Sequence, residues 1–172
     1  MNKNIILTWL YTVAVLVIIQ TILGGYVRLT GSGLSMYDWH IVTGIIPPLS
    51  EQSWQETFEN YQQTPEYKKI NVGMTLDGYK AIYIREYNHR ILGRVSGLVY
   101  VVPLFLFLFI KRFKWRESKI YLLIGILYAA QGVMGWYMVK SGLVDNPHVS
   151  PYRLAAHLLL AFLILALIIW KI

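Results

Sequence analysis

The sequence predicts an all-α integral membrane protein, a four-transmembrane-helix bundle with a long external first loop that carries a short amphipathic helix. Of its 172 residues, 56% are hydrophobic and only 15% are charged, whereas a soluble domain is about half apolar and a quarter charged. The mean hydropathy is +0.46. The apolar residues are concentrated in four blocks, each near the roughly 20 residues that a helix needs to cross a bilayer. We therefore treat residues 1–172 as one membrane domain.

The four predicted spans cover residues of about 5–26, 87–110, 119–140 and 151–171. Inside lipid the backbone must satisfy its own hydrogen bonds, so each run is expected to be a helix. The first run has no A-x-A cleavage site after its single early lysine, and we interpret it as an uncleaved span rather than a signal peptide.

The short loops predict the orientation in the membrane. The loop "KRFKWRESK" (111–119) is strongly basic and is expected to be cytoplasmic, whereas the loop at 141–151 has no lysine or arginine and is expected outside. Both termini are then cytoplasmic, in agreement with Lys3 and Lys171, and residues 28–85 form the external loop. The lack of an Arg- and Ser-rich presequence favours a bacterial plasma membrane over a mitochondrion.

The external loop contains one amphipathic segment, "SEQSWQETFENYQ". Ser50 and Ser53 are candidate N-caps, and Trp54, Phe58 and Tyr61 follow at i, i+4 and i+7. We expect this helix to lie on the outer membrane surface or to cover the bundle.

Charge and cysteine content exclude several classes. The net charge is +7, but the basic residues flank apolar blocks instead of forming a nucleic-acid-binding stripe, so no nucleic acid partner is expected. The chain has no cysteine, which excludes disulfides, zinc–thiolate sites, iron–sulfur clusters and covalent CxxCH haem attachment.

Two histidines fall within spans that run in the same direction. His89 lies near the outer start of span two and His157 about two turns into span four. Ionisable residues in spans are costly and are functional candidates, and two facing imidazoles can be the axial ligands of one haem. A hydrogen bond to a neighbouring helix, a metal site or a quinone site would use the same residues. His40 and His148 lie in loops and are interpreted as surface imidazoles.

Charged residues surround His89. Glu86, three residues earlier, shares its helix face and is a candidate to orient the imidazole, to accept a substrate proton, or to pair with Arg85 or Arg90. An interfacial ion pair of this kind contributes under about 1 kcal/mol. Four arginines at similar depth either extend to the headgroups or pair with haem propionates. These are Arg28, Arg90, Arg94 and Arg153.

Small residues mark spans two and three. Gly93 and Gly97 form a G-x-x-x-G step, and Gly132 and Gly135 flank Met134. Such glycines permit close helix packing or a helical dimer, and they also clear room for a flat macrocycle. No convincing internal repeat is evident at the level of residues.

Four stretches carry a family resemblance: "GGYVRLTGSGLSMYDWHIVTGIIPP", "YQQTPEYKKINVGMTLDGYKAIYIREYNHRILGRVSGLVY", "QGVMGWYMVKSGL" and "VSPYRLAAHL". Together they resemble the haem A synthase family, in the form shared by alphaproteobacteria and mitochondria. The resemblance implies oxidation of a ring methyl group of haem O to the formyl group of haem A for terminal oxidases. It also implies that His89 and His157 are axial ligands of the substrate haem and that Glu86 is a carboxylate needed for activity.

The chain departs from the family pattern in two ways. Some members carry a cysteine pair in the first external loop, which is absent here, and members usually have eight spans in two halves. This chain resembles the N-terminal half, so haem b is expected in the second half or in a homodimer. An unidentified electron-transfer partner and haem O synthase are further expected partners. The alternatives are a b-type cytochrome that passes electrons from quinol, and a non-catalytic factor that carries haem during oxidase assembly.

Overall fold

A computed structural model describes residues 3–37, 45–142 and 147–172, and in these ranges the chain is helical without any strand. The helices are α1 (Lys3–Leu29), α2 (Glu51–Gln62), α3 (Pro65–Lys69), α4 (Leu76–Phe109), α5 (Trp115–Lys140) and α6 (Pro151–Lys171). Four of them, α1, α4, α5 and α6, are long and apolar enough to cross a membrane. The predicted all-α membrane class is confirmed.

The four long helices form a ring. Helix α1 packs against α4 and α6, and α5 packs against the same two helices. Within the described residues the backbones of α4 and α6 do not approach each other closely, nor do those of α1 and α5, although side chains such as Trp9 and Tyr121 meet across the bundle. The two histidine-bearing helices, α4 and α6, therefore occupy opposite corners of the bundle.

A tight apolar core closes the end of the bundle at which α1 begins. Trp9 stacks on Tyr100 with ring centroids 5.0 Å apart, and its Nε1 donates a hydrogen bond to the carbonyl of Val99 at 2.9 Å. The Tyr100 hydroxyl donates to the carbonyl of Tyr121 at 2.7 Å. Leu10, Ile124, Ile164 and Ile168 also belong to this buried cluster. The rings pack densely and their polar atoms have hydrogen-bond partners, so this end of the bundle has little room for a ligand. A ligand is expected in the other half.

Helix α4 begins earlier than the predicted second span. Its N-cap is Thr75, whose side chain accepts a hydrogen bond from the amide of Gly78, so residues 76–85 are helical although we expected them in the external loop. At about 1.5 Å per residue the 34-residue helix is about 50 Å long, which exceeds the roughly 30 Å hydrocarbon core. Hydropathy located the apolar part of α4, whereas its polar first turns are stabilised by protein contacts.

The predicted amphipathic helix is present as α2. Ser50, one of the two candidate caps, is the N-cap and forms a capping box with Ser53. Phe58 and Tyr61 are buried against the first turns of α4, where Tyr61 stacks on Tyr79 with centroids 4.8 Å apart. The apolar face of α2 is thus covered by protein.

Candidate functional site

The two histidines on opposite corners of the bundle each face a glycine of a neighbouring helix. A Cβ atom added to Gly24 of α1 would lie 3.1 Å from Nε2 of His89 on α4. A Cβ atom added to Gly135 of α5 would lie 3.3 Å from Cε1 of His157 on α6. The two imidazoles lie within electrostatic range of each other. The structure therefore brings His89 and His157 into one region, and a side chain in place of either glycine would press on the imidazole opposite and require it to shift by a few tenths of an ångström.

Two glutamines that the sequence analysis missed hold the same histidines. The Nε2 of Gln20 donates to the main-chain carbonyl of His89 at 3.0 Å. The Nε2 of Gln131 donates to the carbonyl of His157 at 3.1 Å and lies 3.3 Å from its Nε2. The sequence did contain a signal for these two residues: each glutamine is an uncharged polar residue inside an apolar span, and a glycine follows it four residues later.

Glu86 is the most heavily hydrogen-bonded carboxylate in the described part of the chain. It is 3% exposed and accepts from the Ser35 hydroxyl at 2.7 Å and from the Met36 amide at 2.8 Å. Arg90 donates to it from Nε at 3.0 Å and also from Nη2, and the same Nη2 donates to the Met36 carbonyl at 3.1 Å. Of the two arginines considered as partners, Arg90 forms the pair. The pair is buried rather than interfacial, and it fastens the segment after α1 to α4.

The four predicted propionate-binding arginines have different surroundings. Arg90 binds Glu86, and Arg94 lies one turn further along α4, half-buried. Arg153 donates from Nη1 to the carbonyl of Tyr137 at 2.8 Å, and its guanidinium lies 3.7 Å from the Tyr137 ring centroid. Arg28 is exposed at the end of α1. Arg90 and Arg94 are therefore on the same helix as His89, and Arg153 is on the helix of His157.

Arg28 lines a separate cavity of about 360 Å³, together with Glu66 and the exposed His148. His40 lies outside the described residues.

A second buried carboxyl lies outside the spans. Glu66 of α3 is 5% exposed and accepts a hydrogen bond from the Tyr61 hydroxyl at 2.9 Å, which in turn accepts from Nδ2 of Asn71 at 2.8 Å. Burial raises the pKa of Glu66 to about 7, and burial likewise raises the pKa of Tyr61. The carboxyl is therefore largely protonated in mildly acidic solution.

The donor set suits a haem better than a bare metal ion. No cluster of three or more His, Cys, Asp or Glu side chains with metal-binding geometry occurs among the described residues, whereas bare zinc requires three or four protein ligands. A porphyrin supplies its own equatorial nitrogens and needs only axial ligands, which two histidines can provide. In the described structure Nδ1 of His157 is buried without a hydrogen-bond partner, as expected of an imidazole whose full set of contacts includes a ligand.

Comparisons with known proteins show what the chain as a whole is similar to. The sequence profile of COX15-CtaA, cytochrome oxidase assembly protein, matches residues 7–172. A protein named heme A synthase from Rickettsia felis is 47% identical over 172 residues, which are 100% of this chain and 51% of that protein. The heme A synthase of Rickettsia bellii is 48% identical over the same shares. That of Nitrosospira multiformis is 53% identical over 163 residues, 94% of this chain and 46% of that protein.

No solved structure matches the chain, and the chain spans about half the length of the curated relatives it matches. Because the family profile covers nearly all of the sequence, the chain belongs to the COX15-CtaA family of cytochrome oxidase assembly proteins.

Proposed function

We propose that this chain is a haem A synthase or its N-terminal half, which binds haem O and oxidises one of its ring methyl groups to the formyl group of haem A. The observation that carries the proposal is the pair of imidazoles on α4 and α6, each seated against a glycine. It is supported by 45–53% identity to proteins named heme A synthase.

His89 and His157 are the proposed axial ligands. The haem, when bound, supplies the iron and the porphyrin methyl group on which the oxidation occurs. The chain carries the two histidines on helices at opposite corners of the bundle, whose backbones do not approach each other closely, so a flat ligand held by both would lie between them. Proximity of this kind orients a substrate before any chemistry takes place.

Arginines are the proposed partners of the haem propionates. Arg94 is the best placed because it is half-buried and one turn beyond Arg90. A guanidinium has five N–H donors; among the described residues Arg90 uses its Nε and Nη2 for protein oxygens and Arg153 its Nη1. Arg28, at the end of α1, is the most exposed of the four.

Glu86 is the proposed proton acceptor. When water supplies the oxygen atom, oxidation of a methyl group to a formyl group releases four electrons and four protons, so the site requires an acceptor for each. Glu86 is a buried carboxylate three residues before His89, and its hydrogen bonds from Ser35 and Met36 hold it in a fixed position. Positioned carboxylates of this kind transfer protons efficiently.

The remaining parts of the reaction are proposed to come from outside this chain. Haem b and the electron-transfer partner are expected with a second half or a second copy, and haem O synthase is the expected source of substrate. The structure weakens the argument that Gly93 and Gly97 together form a homodimer contact. Gly93 faces inward, because a Cβ atom added to it would lie 3.1 Å from Nε2 of Gln20, and only Gly97 of the pair has open space. We further propose a bacterial plasma membrane location with both termini cytoplasmic.

The test is pigment identification. The protein is purified from cells that also make haem O, and the extracted pigment is identified by mass. Haem A, or its hydroxymethyl intermediate, would establish that this chain alone is active. Haem O or haem B alone would indicate a haem-binding half that requires its partner, or a b-type cytochrome. His157→Ala is the test variant and His148→Ala the matched control, because His148 is exposed. Absence of haem from the unmodified protein would refute the site.

A further inference from the structure

The contacts around His89 form an ordered series along two antiparallel helices. On α1, Gln20, Gly24 and Tyr26 follow one another at n, n+4 and n+6; on α4, Arg85 precedes His89 by four residues. Gln20 donates to the His89 carbonyl, Gly24 faces the His89 imidazole, and the Arg85 guanidinium lies 5.7 Å from the Tyr26 ring centroid.

The same series recurs around His157. On α5, Gln131, Gly135 and Tyr137 again stand at n, n+4 and n+6, and on α6 Arg153 precedes His157 by four residues. Gln131 donates to the His157 carbonyl, Gly135 faces the His157 imidazole, and the Arg153 guanidinium lies 3.7 Å from the Tyr137 ring centroid. Three different types of contact are therefore repeated, in the same order and at the same spacing.

This repeat corrects our expectation that the sequence has no internal repeat. It is visible as "QTILGGY" against "QGVMGWY", and as "REYNH" against "RLAAH". The two stretches share only these spaced positions, and the residues between them differ. The pattern becomes significant because the structure shows that the shared positions make the contacts.

We infer that the α1–α4 and α5–α6 pairs are two copies of one histidine-positioning unit, and that Gln20 and Gln131 are the positioning residues that orient His89 and His157 for axial ligation. The ligand named in this inference, a haem, rests on the proposed function. A duplicated helix pair presents two histidines in the same way, each with a glutamine on its carbonyl and a glycine opposite its ring.

The glutamines carry a second shared feature. Within the described structure the Oε1 atoms of Gln20 and Gln131 are both buried without a hydrogen-bond partner, which is unfavourable for a polar atom. A histidine that ligates a metal almost always donates its other ring N–H to an acceptor. At His157 the side-chain amide next to the ring is that of Gln131, whose nitrogen lies 3.3 Å from the ring Nε2.

The experiment is a titration of the purified full chain in detergent with hemin, followed by absorption and electron paramagnetic resonance spectra. Gln20→Met and Gln131→Met preserve side-chain length and remove both hydrogen-bonding groups. Gln55→Met is the matched control, since Gln55 lies exposed on α2. We expect each site variant to weaken hemin binding by about 10–100-fold and to convert low-spin iron partly to high-spin iron, while the control retains the spectrum of the unmodified protein.

An unchanged affinity and spectrum in either site variant would overturn the inference. If the unmodified protein does not bind hemin at all, the proposed function fails first, and the repeat is then judged in the ligand-free protein. In that case similar losses of thermal stability in the two variants would uphold the repeated unit, and a loss in only one of them would overturn it.

Discussion

Replacement of Glu86 by glutamine provides a direct test of the buried charge cluster between α4 and the segment after α1. The change preserves the shape of the side chain but removes its charge, and it places an amide NH₂ group among donors. Arg90 would lose its anionic partner, although its side chain is only 9% exposed. The hydrogen bonds from Ser35 and Met36 would also be weakened, because they end on a carboxylate.

The expected loss of stability is large. Removing one member of a buried ion pair costs about 3–5 kcal/mol, since the other charge remains in a medium of low polarity. For a chain of this size each kcal/mol corresponds to roughly 2–4 °C in the unfolding midpoint. Glu86→Gln should therefore lower that midpoint by roughly 6–20 °C.

The chain contains its own control for this measurement. Glu51 forms an ion pair with Lys80 at 3.0 Å, but its side chain is 81% exposed. Pairs of this kind contribute about 0–1 kcal/mol, so Glu51→Gln should shift the midpoint by roughly 4 °C or less. Thermal unfolding of both variants in the same detergent compares the two. Equal midpoints would refute the conclusion that Glu86 and Arg90 fasten these segments together.

Measurement of haem content separates stability from chemistry. At temperatures well below the unfolding midpoint, Glu86→Gln should retain bound haem because both histidines are unchanged, while formation of oxidised haem is lost. Full turnover in a folded Glu86→Gln protein would contradict its role as proton acceptor.

Three further predictions concern different parts of the chain. Burial holds the pKa of the Glu66 carboxyl at about 7 instead of 4.5. Its contribution to stability is therefore fully present below the unfolded-state pKa of 4.5 and is lost as the pH rises through about 7. The total loss of stability is about 3 kcal/mol. Thermal unfolding as a function of pH should show this loss, and Glu66→Gln should abolish it; a pH dependence that persists in the variant would contradict the assignment. Gly24→Ala should reduce hemin affinity because the added Cβ meets an imidazole at 3.1 Å, whereas Gly25→Ala, with open space around its Cβ, should bind hemin normally; equal affinities would show that the glycine clearance is unnecessary. Because the chain lacks cysteine, single cysteines report orientation: Lys114→Cys should react with a membrane-impermeant maleimide only after cell lysis and His148→Cys in intact cells, and the reverse result would invert the proposed topology.

The sequence by itself determined the number and approximate position of the spans, the amphipathic helix α2 and the two candidate histidines. These features depend on local composition: an apolar run long enough for a bilayer can be recognised without knowing its neighbours, and an ionisable residue within such a run is conspicuous because burying it is costly. The family resemblance also belongs to the sequence, and the family profile confirms it.

Only the tertiary structure decided the features that depend on how helices are rotated and paired. The early start of α4 at Leu76 escaped hydropathy because its first turns are polar and are stabilised by packing against α2. The contacts of Gln20 and Gln131 with the two histidines join segments far apart in the sequence. The partner of Glu86 is a local choice: Arg90 lies one turn further along the same helix and forms the pair. Composition records how much of a helix prefers lipid, but hydrogen bonds between helices depend on which face each helix presents to the other, and that is fixed only when the bundle has assembled.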